Sequence, residues 1–262
     1  MGQTIVFIHG AWVTPLCWEK FRPFFETSGF RCIAPAWPHK DKSVEELRRN
    51  PPKELAGVGV PEIVDHYEKI IRALDKPPLL IGHSFGGLFV QMLLDRGVGC
   101  AGVAIDPAPP KGILPVYPTV IKSLAGVLMT PFGWKKILRW SLKEFSYAFV
   151  HALPQHEQKA AFERYVTPET GRVFFQAALS LLHDKTRVNF KNDGRAPLLL
   201  IAGSSDRICP AAQIRANYKL YKGSKAVTDF KEFAGRTHWI IAQDRWGEVA
   251  EYIQNWFKNQ PA

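Results

Sequence analysis

Cysteine is scarce in this chain: four residues among 262, with no Cys-x-x-Cys pair. Cys17, Cys32, Cys100 and Cys209 lie far apart, a pattern that suggests neither a zinc site nor a disulfide framework and that suits a reducing compartment. An uninterrupted apolar run of about 18 residues is also missing, so no membrane span is predicted. The nearest approach, residues 113–134, is broken by Lys122 and by Pro115, Pro118 and Pro131. The start of the chain offers neither the basic lead-in nor the apolar core of a secretory signal. A cytoplasmic location without integral membrane association is therefore expected. Lys and Arg exceed Asp and Glu by ten, yet no basic run or nucleic-acid-binding motif accompanies the excess. It predicts solubility and attraction of anions, with no nucleic-acid partner. Residues 111–196 hold thirteen Lys and Arg against six Asp and Glu, and so carry seven of the ten excess charges.

What the chain does have is alternation. Short apolar runs at 5–9, 31–35, 79–81, 102–105, 198–202 and 229–233 read as strands, the last of them weak. Helical patterns separate them at 16–28, 61–74 and 88–95, and a last helix carries Val249, Tyr252, Ile253, Trp256 and Phe257 on one face. This is the pattern of βαβ units around a parallel sheet. Residues 111–196 differ: helical, rich in aromatics, with no convincing strand. A structureless loop that long is implausible in a compact domain. The expectation is an α/β core formed by 1–110 and 197–262, with 111–196 inserted as a helical subdomain. Phe132, Trp134, Trp140, Phe145, Tyr147, Phe149, Phe174 and Phe175 in that insert are available to line an apolar pocket or to pack the insert onto the core.

Gly82-His83-Ser84-Phe85-Gly86-Gly87 follows the third strand and leads into a helix. In that setting Gly-x-Ser-x-Gly places a serine on a tight turn above a sheet, with glycines where strand and helix nearly touch. Ser84 is the candidate nucleophile. A serine hydroxyl needs a base, and the base needs a third group to orient it, in the chain order Ser, acid, His. His238, after the last strand, is the candidate base. Asp206, in Gly203-Ser204-Ser205-Asp206, is the candidate acid, and Asp106 at the end of the fourth strand is its rival. The loop His9-Gly10-Ala11-Trp12 after the first strand offers the Ala11 N–H, and Phe85 offers a second N–H, as an oxyanion hole. His9 is expected to hold its loop and His83 to support the turn, with His66 facing solvent. His151, His156 and His183 read as surface residues of the insert, and His39 stays open as a substrate-side residue. Trp12, His83, Asp106, Trp140 and Trp239 are the further candidates for substrate contacts. No metal or organic cofactor is implied.

Together, His9 through Trp12, Gly82 through Gly87, Gly203 through Asp206 and Gly235 through Trp239 resemble the α/β-hydrolase superfamily. The likeness is strongest to its capped esterases, plant methylesterases and cofactor-free haloperoxidases. It implies an α/β-hydrolase fold with a helical cap at 111–196, and ester hydrolysis of a small-molecule ester or acyl substrate through an acyl-enzyme. Two departures stand out. The chain has no room for the two antiparallel strands that commonly open the fold, so about six strands are expected. The loop Pro35-Ala36-Trp37-Pro38-His39 also lacks the frequent Asp-x-x-Gly-x-Gly pattern. Hydroxynitrile-lyase, C–C hydrolase and perhydrolase chemistry at the same three residues, and a non-catalytic ligand receptor, remain alternatives. Epoxide hydrolases and haloalkane dehalogenases use Asp where Ser84 stands. The oligomeric state is not predicted.

Overall fold

A computed structural model describes residues 2–114 and 116–260 of the chain. Pro115, one of the prolines interrupting the apolar stretch at 113–134, lies outside the described residues. Six parallel strands form the main sheet in the order β2-β1-β3-β4-β7-β8. They are β1 (Thr4–Ile8), β2 (Arg31–Ile33), β3 (Leu79–His83), β4 (Ala101–Ile105), β7 (Leu198–Gly203) and β8 (Thr228–Phe233). β3, β4 and β7 are buried at every position, which is why they read as continuous apolar runs. The edge strand β8 is only half-buried throughout, and its sequence, TDFKEF, is correspondingly mixed.

Helices cover both faces. α1 (Phe21–Thr27) packs beside α10 (Trp246–Lys258), with the Phe21 and Trp246 rings 5.8 Å apart. α3 (Val60–Arg72) buries Ile63, Val64, Tyr67 and Ile71 as one stripe and packs on α4 (Phe85–Asp95). The helix expected over 16–28 is divided: a 3-10 turn at Pro15–Trp18, then α1. Thr14 caps that turn and Pro15 begins it, while Lys20 at the start of α1 donates to the Ala242 carbonyl. A helix the alternation does not predict, α9 (Ala211–Leu220), joins β7 to β8. Its buried face includes Gln213 and Asn217, and Asn217 donates to Gln91 of α4. A polar seam of this kind leaves no hydrophobic period to read. His66 of α3 is half-buried, not solvent-facing, and its Nε2 bonds the Ala36 carbonyl.

Between β2 and α3 the chain makes an excursion containing α2 (Val44–Arg49). Between β4 and β7 stand α5 (Pro118–Leu128), α6 (Leu142–Ala148), α7 (Gln155–Tyr165) and α8 (Arg172–Ala178). This insert also contains a two-stranded antiparallel ribbon absent from the sequence reading, β5 (Ile137–Leu138) with β6 (Glu169–Thr170). Polar contacts pin the insert to the excursion. Arg48 donates to the carbonyls of Phe162, Glu163 and Val166, and the Val60 N–H donates to Gln176. Cys17, Cys32, Cys100 and Cys209 are free thiols. Among the described residues no helix is long and apolar enough to cross a membrane.

Two glycines mark opposite limits of tolerance. A Cβ on Gly86 would stand 2.0 Å from the Ile8 carbonyl oxygen, whereas one on Gly247, in the first turn of α10, would meet nothing within 4 Å. Gly86→Ala is expected to cost more than about 3 kcal/mol or to prevent folding, and Gly247→Ala to add roughly 0.5 kcal/mol. Urea unfolding of the two variants checks both.

Candidate active site

The end of β3 turns directly into α4 at Ser84, whose backbone has φ 58° and ψ −122°. That conformation is costly for a residue with a side chain, by about 1–3 kcal/mol. It is held from both sides: the Ser84 N–H donates to the Ile105 carbonyl, and the Ser84 carbonyl accepts from Gly87, Leu88 and Ala108. A Cβ on Gly82 would stand 2.1 Å from the Gly86 oxygen, so the turn closes only with glycine there. The loop after β1 comes equally near, since a Cβ on Gly10 would lie 2.7 Å from the Ser84 Cβ. Ala11 and Phe85, the two candidate oxyanion donors, therefore flank the serine. Trp12 is excluded from that role because its N–H donates to Glu169 at 3.0 Å.

The loops after β7 and β8 converge on the same end of the sheet. Main-chain bonds run from Ser204 to Phe233 and from Ser205 to Arg236, and Gly203 packs with no room for a Cβ beside the Arg236 carbonyl. Asp206 Oδ1 accepts the N–H groups of Ile208 and Cys209, while Oδ2 meets His238 Nδ1 at 2.5 Å. Both side chains are fully buried. His238 Nε2 has no hydrogen-bond partner among the described residues. Gln243, which the sequence reading missed, accepts from both the N–H and the hydroxyl of Thr237 and so fixes the loop carrying His238.

His83 and His9 are the supports the sequence predicts, with bonds that define their tautomers. His83 Nε2 donates to the His238 carbonyl, and burial together with the neighbouring His238 lowers its pKa well below the ordinary value. His9 Nε2 accepts the Trp37 N–H, so its proton sits on Nδ1 and is donated to the Gly10 carbonyl. Burial and then Lys40 lower its pKa far enough to keep the ring neutral.

Asp106 is buried and does not face the cleft. Its backbone has φ 42°, its Oδ1 accepts the Gly203 N–H at 2.7 Å, and its Oδ2 has no hydrogen-bond partner among the described residues. Burial and then the nearby Asp206 raise its pKa well above the ordinary carboxylate value, which favours the protonated form. Two trios of possible metal ligands overlap here: His83, Asp106 and His238, and Asp206, Cys209 and His238. Asp206 and His238 are already paired with each other, and burial and the two carboxyls push the Cys209 thiol up, away from the thiolate a metal would bind.

Ser84 lies on the wall of an apolar cleft of about 520 Å³, its open mouth included. Trp12, Phe149, Phe174, Val120, Leu124 and Ile208 are among the residues that line it, with no charged side chain in the lining. Of the proposed substrate contacts only Trp12 reaches this cleft. Trp140 stacks behind Trp12 at 4.5 Å, and Trp239 packs on Tyr165 at 5.0 Å. His39 is exposed and not part of the lining. Of the eight aromatics noted in the insert, Phe149 and Phe174 line the cleft, while Phe132 and Trp134 point to solvent, 63% and 40% exposed.

Among curated protein sequences none matches this chain. Solved structures similar to it over nearly all of both chains include three enzymes. A monoacylglycerol lipase of Paleococcus ferrophilus is 23% identical, with 98% of this chain and 95% of that one covered and a TM-score of 0.65. A methylesterase from Arabidopsis is 14% identical, covering 98% and 99%, with a TM-score of 0.68. A pyrethroid hydrolase from Sphingobium faniae is 17% identical, covering 99% and 98%, also with a TM-score of 0.68. At these identities the likeness establishes the fold. The model of the alpha/beta hydrolase family matches residues 5–252, and the chain belongs to that family.

Proposed function

We propose that the protein is a serine hydrolase that cleaves neutral, apolar carboxylic esters through an acyl-enzyme, with the insert acting as a cap over the site. The observation that carries this reading is the buried Asp206–His238 pair, its Nε2 left unpartnered among the described residues, at the sheet end that also carries a strained serine on the wall of an uncharged cleft. Ser84 Oγ attacks the ester carbonyl carbon and passes its proton to His238 Nε2. Asp206 holds the Nδ1–H tautomer beforehand and the imidazolium afterwards. The carbonyl oxygen, now an anion, takes hydrogen bonds from the Ala11 and Phe85 N–H groups. Collapse breaks the bond to the alcohol, which leaves with the proton from His238. Water then attacks the acyl group by the same route, releasing the acid and regenerating Ser84.

Substrate class follows from the lining. With no cation in the cleft, an anionic substrate gains nothing to offset its lost hydration, despite the positive charge of the surrounding insert. Esters of uncharged acyl and alcohol groups are the better fit, and the three similar enzymes above are consistent with that choice.

A fluorophosphonate probe is expected to modify Ser84 and no other residue, as peptide mapping of the labelled chain will show. Ser84→Ala is expected to lose at least about 10³-fold in kcat on a short-chain p-nitrophenyl ester. Labelling elsewhere, or turnover surviving in Ser84→Ala, contradicts the reading.

The two carboxyls give opposite expectations. Asp206→Asn takes away the acceptor that sets the His238 tautomer and is expected to lower kcat by about 10⁴. Asp106→Asn replaces the carboxyl with a neutral isostere, and kcat is expected to stay within about tenfold. Stability adds a check of sign. Because the folded-state pKa of Asp106 is raised, the folded state holds its proton to higher pH than the unfolded chain does, so the wild type loses stability as pH rises above the ordinary carboxylate value. The melting temperature of Asp106→Asn relative to wild type is therefore expected to climb as pH rises above about 4. A flat difference would show that Asp106 is ionised in the folded chain.

A further inference from the structure

A fully buried ion pair lies apart from the triad. Lys40, in the excursion after β2, meets Glu169 of β6 with Nζ 2.5 Å from Oε2, and both side chains are 0% exposed. Burying two charges is expensive, and an apolar pair of similar volume is often as stable or more so. A stabilising role alone does not account for placing this pair here. Its bonds suggest another. Glu169 Oε2 also accepts the Trp12 N–H at 3.0 Å, and Oε1 accepts the Thr170 N–H at 2.9 Å. On the other side of the same residue, the Trp12 carbonyl accepts the Thr167 N–H at 2.8 Å. Both main-chain polar groups of Trp12 are thus held by two residues of the insert, Thr167 and Glu169. Trp12 has φ 69°, a backbone geometry that a tryptophan does not adopt without support. Its ring is gripped as well, stacked on Trp140 at 4.5 Å and Phe174 at 5.1 Å, both from the insert.

Trp12 directly follows Ala11, whose N–H is the oxyanion donor in the reading above, and the inference rests on that reading. The geometry points to Glu169, held in place by Lys40, as a positioning residue that aims the Ala11 N–H by clamping Trp12, so that the oxyanion hole is complete only while the insert is seated on the core. The insert then does more than bound the cleft. A substrate or product that lifts the segment at 167–170 releases Trp12 and with it one of the two donors. Burial lowers the Lys40 pKa while the Glu169 carboxylate raises it, the balance of a charge kept for one partner.

Two double variants separate aiming from mere stability. Lys40→Met/Glu169→Gln removes both charges but keeps a side-chain oxygen for the Trp12 N–H. Lys40→Met/Glu169→Leu removes the charges and the acceptor together. The readouts are kcat and KM on a short-chain p-nitrophenyl ester, the rate of fluorophosphonate labelling at Ser84, and the melting temperature. With similar melting temperatures, the Gln variant is expected within about threefold of wild type in kcat. The Leu variant is expected about 10- to 100-fold lower in kcat and in labelling rate, with KM little changed. Equal kcat in the two variants overturns the inference. Should the Leu variant not fold, amide hydrogen exchange on the wild type decides. Trp12 is expected to exchange together with Thr167 and Thr170 as one unit, and a Trp12 amide that exchanges independently of them overturns the clamp. A wild type that neither turns over ester nor labels at Ser84 removes the hydrolase reading itself, whereas a labelled wild type with indifferent variants removes only the clamp.

Discussion

Main-chain crowding where β1, β3 and α4 meet is the constraint on which the rest of the site depends. Gly86 lies so near the Ile8 carbonyl, Gly82 so near Gly86, and Gly10 so near Ser84 that no side chain fits at any of the three. The strained serine and the loop after β1 are consequently placed by backbone atoms of the central sheet and not by flexible side chains. Strain of about 1–3 kcal/mol at Ser84 is opposed by four main-chain hydrogen bonds to that one residue. A site built this way is preorganised. In the proposed reaction its donors need not be recruited when charge develops on a bound carbonyl, which is where electrostatic catalysis is strongest.

The second ordering principle is the unequal treatment of buried charge. Asp206 and Asp106 end neighbouring strands, yet Asp206 accepts two amides and an imidazole while Asp106 accepts a single amide. Only the first arrangement compensates a carboxylate for its lost hydration. One acid is thus fully bonded beside His238, and the other, its pKa raised by burial and by Asp206, braces Gly203. His9 and His83, both kept neutral, add no positive charge near the base. The environments of the two carboxyls, more than their identities, decide which one can serve.

Legibility in the sequence followed the range of the forces involved. The buried strands and the glycine turn around Ser84 are dictated by neighbours a few residues away, and they stood where the pattern placed them. The pairing of Asp206 with His238 was readable because strand order brings two consecutive loops to one edge. α9 was invisible because Asn217 and Gln213 occupy its buried face, and the β5–β6 ribbon because two-residue strands carry no period. The aromatics of the insert were equally opaque. Nothing local tells Phe174, in the cleft, from Phe132, at the surface. Lys40 and Glu169 are separated by 129 positions, and a lysine in a polar loop gives no hint that it will be entirely buried.

The division of labour between core and insert also limits how the protein can choose among substrates. Ser84, Asp206 and His238, the proposed triad, all come from the core, and what the insert gives the cleft is apolar surface such as Phe149, Phe174, Val120 and Leu124. Apolar walls discriminate weakly, by about 1–3 kcal/mol per methylene, and apart from Ser84 the described lining holds no polar side chain beyond the Cys209 thiol to penalise a substrate that fails to match it. Selectivity must then come from shape, and shape here is set by the seating of the insert on Trp12. Trp12, held by the insert at its backbone and its ring, directly follows Ala11, the proposed oxyanion donor. In the proposed reaction, fit in the cleft and geometry at the reacting carbon are tied through this one residue, so a substrate too large for the seated insert would be penalised in turnover as well as in binding.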